Sequence, residues 1–533
     1  LHGSPVQTLG RREFAKVSSR EGGAASRVAL NSFWYGFDSL LGILMAVGIS
    51  IPMARILGPE RLGYFNFIMW LTAMSGGLAC LGIPQATGKY MAEYLGAGNR
   101  GMARAIYQRS LWIQGAMAAI VSSIALTVLY TVGDPRYHLV STLQILSTIP
   151  AMMVQVPTQA NLANETMRTN IPGSIASNIL MILGVPLSLF FHWDLLGVAA
   201  TFLVARTADV LIRARSTAAW INQTPPETIP HELSVRMRSF GLKMTYISLI
   251  AMVIWDKSDL FFLKILTKDI RQISFFTVAF NLVEKVILAP GVFGSALSAS
   301  LLAQYGRDSS KTAAMATDAT RYLYLFSMPM LFGLSLMAAP LIQVLYGSKF
   351  LPAIYVLQVA GVLAILKPVS FAADSIFRAT GRQGQMVFWT TICAFLNVLL
   401  DYLLIPRYGA VGAAIASGVA VSSQVIICMF IQMVSFQVPI DFKGLGKITL
   451  AGLSMAVPVV LANHFLPPLA AVIVDPISGA ATFLLVLKLI GALHGADVER
   501  LGRLASVFPA ALRPLVHRTV GFLGTPAALH SAT

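Results

Sequence analysis

The sequence predicts an all-α membrane protein of about fourteen transmembrane helices. Three observations carry that expectation. Apolar runs of about twenty residues, the length that crosses a hydrocarbon core, recur along almost the whole chain. Hydrophobic residues make up 56% of the 533 positions and charged ones only 12%, with a mean hydropathy of +0.71; a soluble domain carries roughly a quarter charged residues. Lipid offers the backbone no hydrogen-bond partner, so such runs are helices or closed-barrel strands, and these are too long and continuous for strands.

The expected order begins with a polar, basic tail, 1–27, without the apolar core or cleavage pattern of a signal peptide. Six spans follow in a first lobe (28–215), at 28–51, 62–83, 106–131, 138–160, 173–192 and 195–213. A linker, 216–240, carries Pro225-Pro226, Pro230, Arg236 and Arg238. A second lobe (241–434) holds spans at 241–266, 272–301, 319–345, 350–378, 385–405 and 409–434. Two further spans, 446–466 and 471–493, lie within 435–493 and precede a tail, 494–533. The two blocks resemble each other. Leu81-Gly82-Ile83-Pro84 and the stretch to Tyr94 correspond to Leu288-Ala289-Pro290 and the stretch to Tyr305. Leu196-Gly197-Val198-Ala199-Ala200 likewise corresponds to Val411-Gly412-Ala413-Ala414. Small residues at such points let helices approach closely, and parallel six-helix repeats are a transporter plan.

The formal charge of +16 reports topology. About 28 of the 39 Lys and Arg residues fall on the side of the N-terminus and about 8 on the other, the positive-inside asymmetry that places both termini in the cytoplasm. A basic face of this kind meets anionic headgroups, and no nucleic-acid partner is implied. Cys80, Cys393 and Cys428 stand singly in apolar runs and read as small buried hydrophobes. The Gly96-to-Gly101 stretch matches a dinucleotide fingerprint but follows a helix, without the strand that chemistry needs. No Walker motif, histidine ligand spacing or nucleophile–base pair occurs, so neither an enzyme activity nor a cofactor is expected. No outward loop is long enough for the active-site segment of a membrane glycosyltransferase or polymerase.

Several segments are similar to the polysaccharide transporter family, the Wzx-type lipid-linked oligosaccharide flippases. They are Ala54-Arg55-Ile56-Leu57-Gly58-Pro59-Glu60-Arg61-Leu62-Gly63-Tyr64, Leu81-to-Pro84 with Tyr90 to Tyr94, and Asp259-Leu260-Phe261-Phe262-Leu263. The most specific runs from Arg378-Ala379-Thr380-Gly381-Arg382 through Asn397 to Leu404–Ala414. Together they sample about 28–434, and Asp401 departs from the uncharged polar residue expected at its position. The resemblance implies a V-shaped, two-lobed transporter in the plasma (inner) membrane. It implies an undecaprenyl-pyrophosphate-linked oligosaccharide as cargo, flipped outward for O-antigen or exopolysaccharide assembly. Polymerase and assembly proteins would be partners. A multidrug or metabolite cation antiporter, or a lipid II-type flippase, is the alternative.

Charges retained inside spans cost about 2.5–3.5 kcal/mol each on insertion scales and mark an aqueous path or a partner. Asn31, Trp34, Tyr35 and Asp38 share one stripe of helix one. Thr245, Ser248, Asp256 and Asp259 share a face of helix seven, with Lys257 about 100° away. Helix eight adds Asn281, Glu284 and Lys285, helix ten Lys367 and Asp374, helix eleven Asn397 and Asp401. Two readings stand open. The lysines attract a pyrophosphate while the carboxylates exchange protons or cations; or Asp256 or Asp259 pairs with Lys285, and Glu284 with Lys257, as interhelical ties.

Overall fold

In a computed structural model, described over 48–492 apart from Leu78, Gly133, Asp256, Lys257 and Asp308, every regular element is helical. The chain divides into two compact units that part between Met252 and Val253. The first unit runs through α1 (48–77), α2 (Ile83–Gly96), α3 (Arg100–Val132), α4 (His138–Met153), α5 (Gln155–Ala163), α6 (Ile171–Phe190), α7 (Asp194–Ile221) and most of α8 (His231–Trp255). The second comprises α9 (Asp259–Leu266), α10 (Arg271–Arg307), α11 (Ser309–Leu336), α12 (Ala338–Tyr346), α13 (Ala353–Leu363), α14 (Ser370–Ala379), α15 (Gln383–Ser435), α16 (Phe442–Ser454), α17 (Ala456–Phe465) and α18 (Pro468–Leu489). Of the expected linker, only 222–230 lies between helices.

Among the described residues nine helical stretches are long and apolar enough to cross a membrane, ten if the bent pair α11–α12 is one crossing. One of the nine is α15, whose 53 residues would measure about 80 Å, nearly twice a whole bilayer. It is two crossings. Gly409 takes φ +55°, a left-handed value that only glycine adopts without strain, and turns the chain there. Gln272 Oε1 accepts from the Ala410 N–H at 2.9 Å and caps the returning arm. Gln424 Nε2 donates to Thr390 Oγ1 at 2.9 Å, which fixes the two arms as an antiparallel pair. In the first unit α6 and α7 pair likewise, with Ser188 and Thr201 hydroxyls 3.3 Å apart near the turn. The small residues Gly197, Val198 and Ala199, and Gly412, Ala413 and Ala414, are buried at these corresponding positions.

Prolines set the interruptions. Met153 ends α4 and Pro157 stands four residues on; Leu336 ends α11 ahead of Pro340; Ser454 ends α16 ahead of Pro458. Proline has no N–H to give the carbonyl four residues back, so each helix loses that bond and restarts two residues later. At Met337 the axis bends by 66°. Pro368 lies in a 3-10 turn, Ala364–Val369, that divides the expected span 350–378 at Lys367. At the α1–α2 corner Gly82 has φ +64°, and a Cβ there would stand 2.2 Å from the Gly241 carbonyl oxygen of α8. That backbone-on-backbone approach explains the glycine in the first repeat motif. The three cysteines are free; Cys393 and Cys428 are buried and Cys80 half-buried.

Candidate functional site

In the second unit α9 packs against the first arm of α15 and brings Asp259 to Asn397 and Asp401. Asp259 is the first residue of α9, while Asn397 and Asp401 are one turn apart on α15. Asn397 Nδ2 donates to Asp259 Oδ1 at 3.3 Å and lies 3.5 Å from Asp401 Oδ2. All three are buried, Asp401 completely, and Asp401 Oδ1 has no hydrogen-bond partner. Two carboxylates side by side in a low-dielectric interior repel strongly, and the Asn397 amide leaves Asp401 Oδ1 unpaired. A proton or a hard monovalent cation between them removes the repulsion, and oxygen donors of this kind suit such an ion. No group of three or more His, Cys, Asp or Glu suited to a metal occurs among the described residues.

Glu284 and Lys367 line one cavity of about 40 Å³ with Phe280, Leu363, Ser417 and Gly418, room for about one water. Lys285 is half-buried on α10 and makes no ion pair among the described residues. The anticipated Asp259–Lys285 tie is therefore absent: Asn397 occupies the acid. Asp374, half-buried on α14, is joined to neither group by a hydrogen bond or ion pair. Asn31, Asp38, Asp256 and Lys257 lie outside the described residues, and with them the Glu284–Lys257 tie.

The first unit holds charges that the sequence reading passes over. Arg206, within the expected span 195–213, donates from Nη1 to Ser147 Oγ of α4 at 3.0 Å. Its guanidinium sits 5.5 Å from the centre of the Phe202 ring, and no acid pairs with it among the described residues. Two turns on, Arg213 pairs with Asp209 at 2.5 Å and also donates to the hydroxyls of Thr158 and Ser174. Arg213 is therefore a satisfied structural tie, whereas Arg206 keeps an unneutralised charge. The signal was available as an Arg inside a span; its partner Ser147 belongs to a buried polar stripe of α4 with Ser141 and Gln144.

A model of the family described as polysaccharide biosynthesis protein matches residues 52–355, more than half of the chain. The chain belongs to that family. A relative from Haloferax volcanii, named "Probable low-salt glycan biosynthesis flippase", is 24% identical over 170 residues, 31% of this chain and 36% of that protein's length. In solved structures the fold is similar to the lipid II flippase MurJ in an inward closed conformation, with a TM-score of 0.70, 16% identity, and coverage of 86% of this chain and 98% of that one. It is also similar to an inward-facing multidrug resistance transporter of the MATE family, with a TM-score of 0.63, 16% identity, and coverage of 74% and 94%. At such identities these likenesses show the fold. Family, apolar helices and fold together make this chain a multi-pass membrane protein of polysaccharide biosynthesis whose fold is like that of those transporters.

Proposed function

We propose that this chain flips an undecaprenyl-pyrophosphate-linked oligosaccharide from the cytoplasmic to the outer face of the plasma membrane, driven by an ion gradient. The reading includes fourteen crossings, cytoplasmic termini and delivery to a polymerase outside. The observation that carries it is that two intramembrane cations, Arg206 in the first unit and Lys285 in the second, have no acidic partner among the described residues. An unneutralised cation in a span is costly and is kept where an anion visits it. A pyrophosphate linkage is such an anion, and a cationic drug is not. That contrast favours the flippase over the multidrug antiporter.

Energy must come from elsewhere than a nucleotide, since the chain carries no Walker motif. The Asp259–Asn397–Asp401 group supports ion coupling. In sealed vesicles containing the protein and the lipid-linked glycan, collapsing the proton and sodium gradients separately identifies the ion whose loss slows flipping. Asp401→Asn should abolish that dependence while the protein still inserts. Flipping that is unchanged with both gradients collapsed rejects the coupling. A cationic drug transported with no glycan-lipid flipping rejects the substrate.

A further inference from the structure

The last two spans contain a buried acid that none of this employs. α17 and α18 form a helical hairpin closed at Leu466-Pro467. The buried residues of α18 are Ala471, Asp475, Gly479, Phe483 and Leu487, spaced by four and therefore on one stripe. At Gly479 a Cβ would lie 3.1 Å from Met455 Cε and 3.3 Å from Val459 Cγ2, so the stripe faces α17 and the break before it. In an antiparallel hairpin a step back along one helix matches a step forward along the other. Asp475, one turn before Gly479, accordingly stands level with Val459 to Asn463.

Asp475 is 1% exposed, and both its carboxylate oxygens are buried without a hydrogen-bond partner. Asn463 uses its Nδ2 to donate to the Leu336 carbonyl at 3.2 Å, the carbonyl that Pro340 leaves unpaired at the bend between α11 and α12. Its Oδ1 is then buried without a partner as well. Three buried acceptor oxygens without a donor thus belong to the facing sides of one hairpin. Burying an unpaired carboxylate is among the most expensive things a fold can do, and what these three oxygens lack is positive charge.

The packed helices bring none to that level. α12 carries no ionisable side chain except Tyr346 at its end, and α17 only His464, exposed beside the turn. α16 has Lys443 and Lys447 in its first turns, and α18 has Lys488 in its last, about 20 Å along the helix from Asp475. On α11 Lys311, Asp318, Arg321, Tyr322 and Tyr324 all precede Leu336 by at least three turns.

We propose that Asp475 and Asn463 form a second monovalent-cation site, filled by Na⁺ or H⁺, seated against the bend of α11–α12. It uses helices other than those of the Asp259–Asn397–Asp401 group. Because Asn463 holds the Leu336 carbonyl through one end of its amide and would offer the cation the oxygen at the other, occupancy would tie the hairpin to the bend.

Dicyclohexylcarbodiimide modifies carboxyl groups that carry a proton in an apolar setting. In the purified full-length protein at mildly acidic pH without Na⁺, it should modify Asp475, as mapped by peptide mass spectrometry. Protection by added Na⁺ identifies sodium as the occupant. Modification that ignores Na⁺ but is lost at alkaline pH identifies the proton. No modification of Asp475 under any condition overturns the proposal. Independently, Asp401→Asn protein should keep a Na⁺- or pH-dependent shift in Tm that disappears on adding Asp475→Asn. A double variant that keeps the whole shift also overturns it.

Discussion

Lys285 and Arg206 pose the same physical question on different helices, because each holds a cation in a membrane span without an ion pair among the described residues. If each of them meets the substrate's diphosphate during its passage, charge matters more than shape. Lys285→Ala and Arg206→Ala should each reduce glycan export by at least about tenfold, the effect of losing roughly 1.4 kcal/mol of binding. Lys285→Arg and Arg206→Lys should retain part of it, and membrane levels should not change. Export and levels by each variant, measured in one strain lacking the wild-type chain, decide this; wild-type export by both Ala variants removes the ligand role. The acids were legible as residue types but not as a group. Asp259 and Asn397 are separated by 138 positions, and only packing of α9 on α15 unites them. Arg206 was missed for another reason: in a chain whose cations mark the cytoplasmic side, an Arg near a span's inner half reads as topology.

At the scale of elements, three interruptions share one proline spacing, but Pro150, Pro186, Pro290, Pro329, Pro406 and Pro476 lie inside helices that continue past them, so proline alone does not mark a break. What the sequence does not reveal is which interruption bends. The 66° bend follows Leu336, whose carbonyl has a replacement donor in Asn463 from a helix more than a hundred residues on. Pro340→Ala restores the missing N–H and should let α11 and α12 run together. Spin labels at the exposed positions Met330 and Gln343 should then separate toward about 20 Å, the length of thirteen residues of straight helix. An unchanged distance would mean that Asn463, not proline, sets the bend. The expected 385–405 and 409–434 pair was legible because a glycine and a proline punctuate it, and Gly409 turns the chain there.

For the whole molecule, the prediction concerns sides of the membrane. Thr228, in the stretch between α7 and α8, and Ser348, after α12, are both exposed. The charge asymmetry predicts that the first lies in the cytoplasm and the second outside. Single cysteines at the two positions, in a chain whose own cysteines are replaced, should react with an impermeant maleimide from opposite faces of oriented vesicles. Reaction from one face only would remove the fourteen-crossing topology. The all-helical class and its membrane-crossing lengths were legible because hydrophobic length is a property of the chain itself. The pairing of charges was not, since it depends on which helices pack together.

The antiparallel arms of α15 also bear on how the protein enters its membrane. The first arm carries Asn397 and the fully buried Asp401, groups that the translocation channel hands to lipid only with difficulty. The second arm, from Ala410 to Ser435, has no charged residue and is rich in Ala and Val. Joined by a turn of a few residues, the two arms reach the channel almost together. The second arm can then carry the first into the bilayer as a paired unit, with Gln424 already holding Thr390. Gly409 in this light is a biogenesis element: it makes a reluctant segment and a willing one partition as a single hairpin.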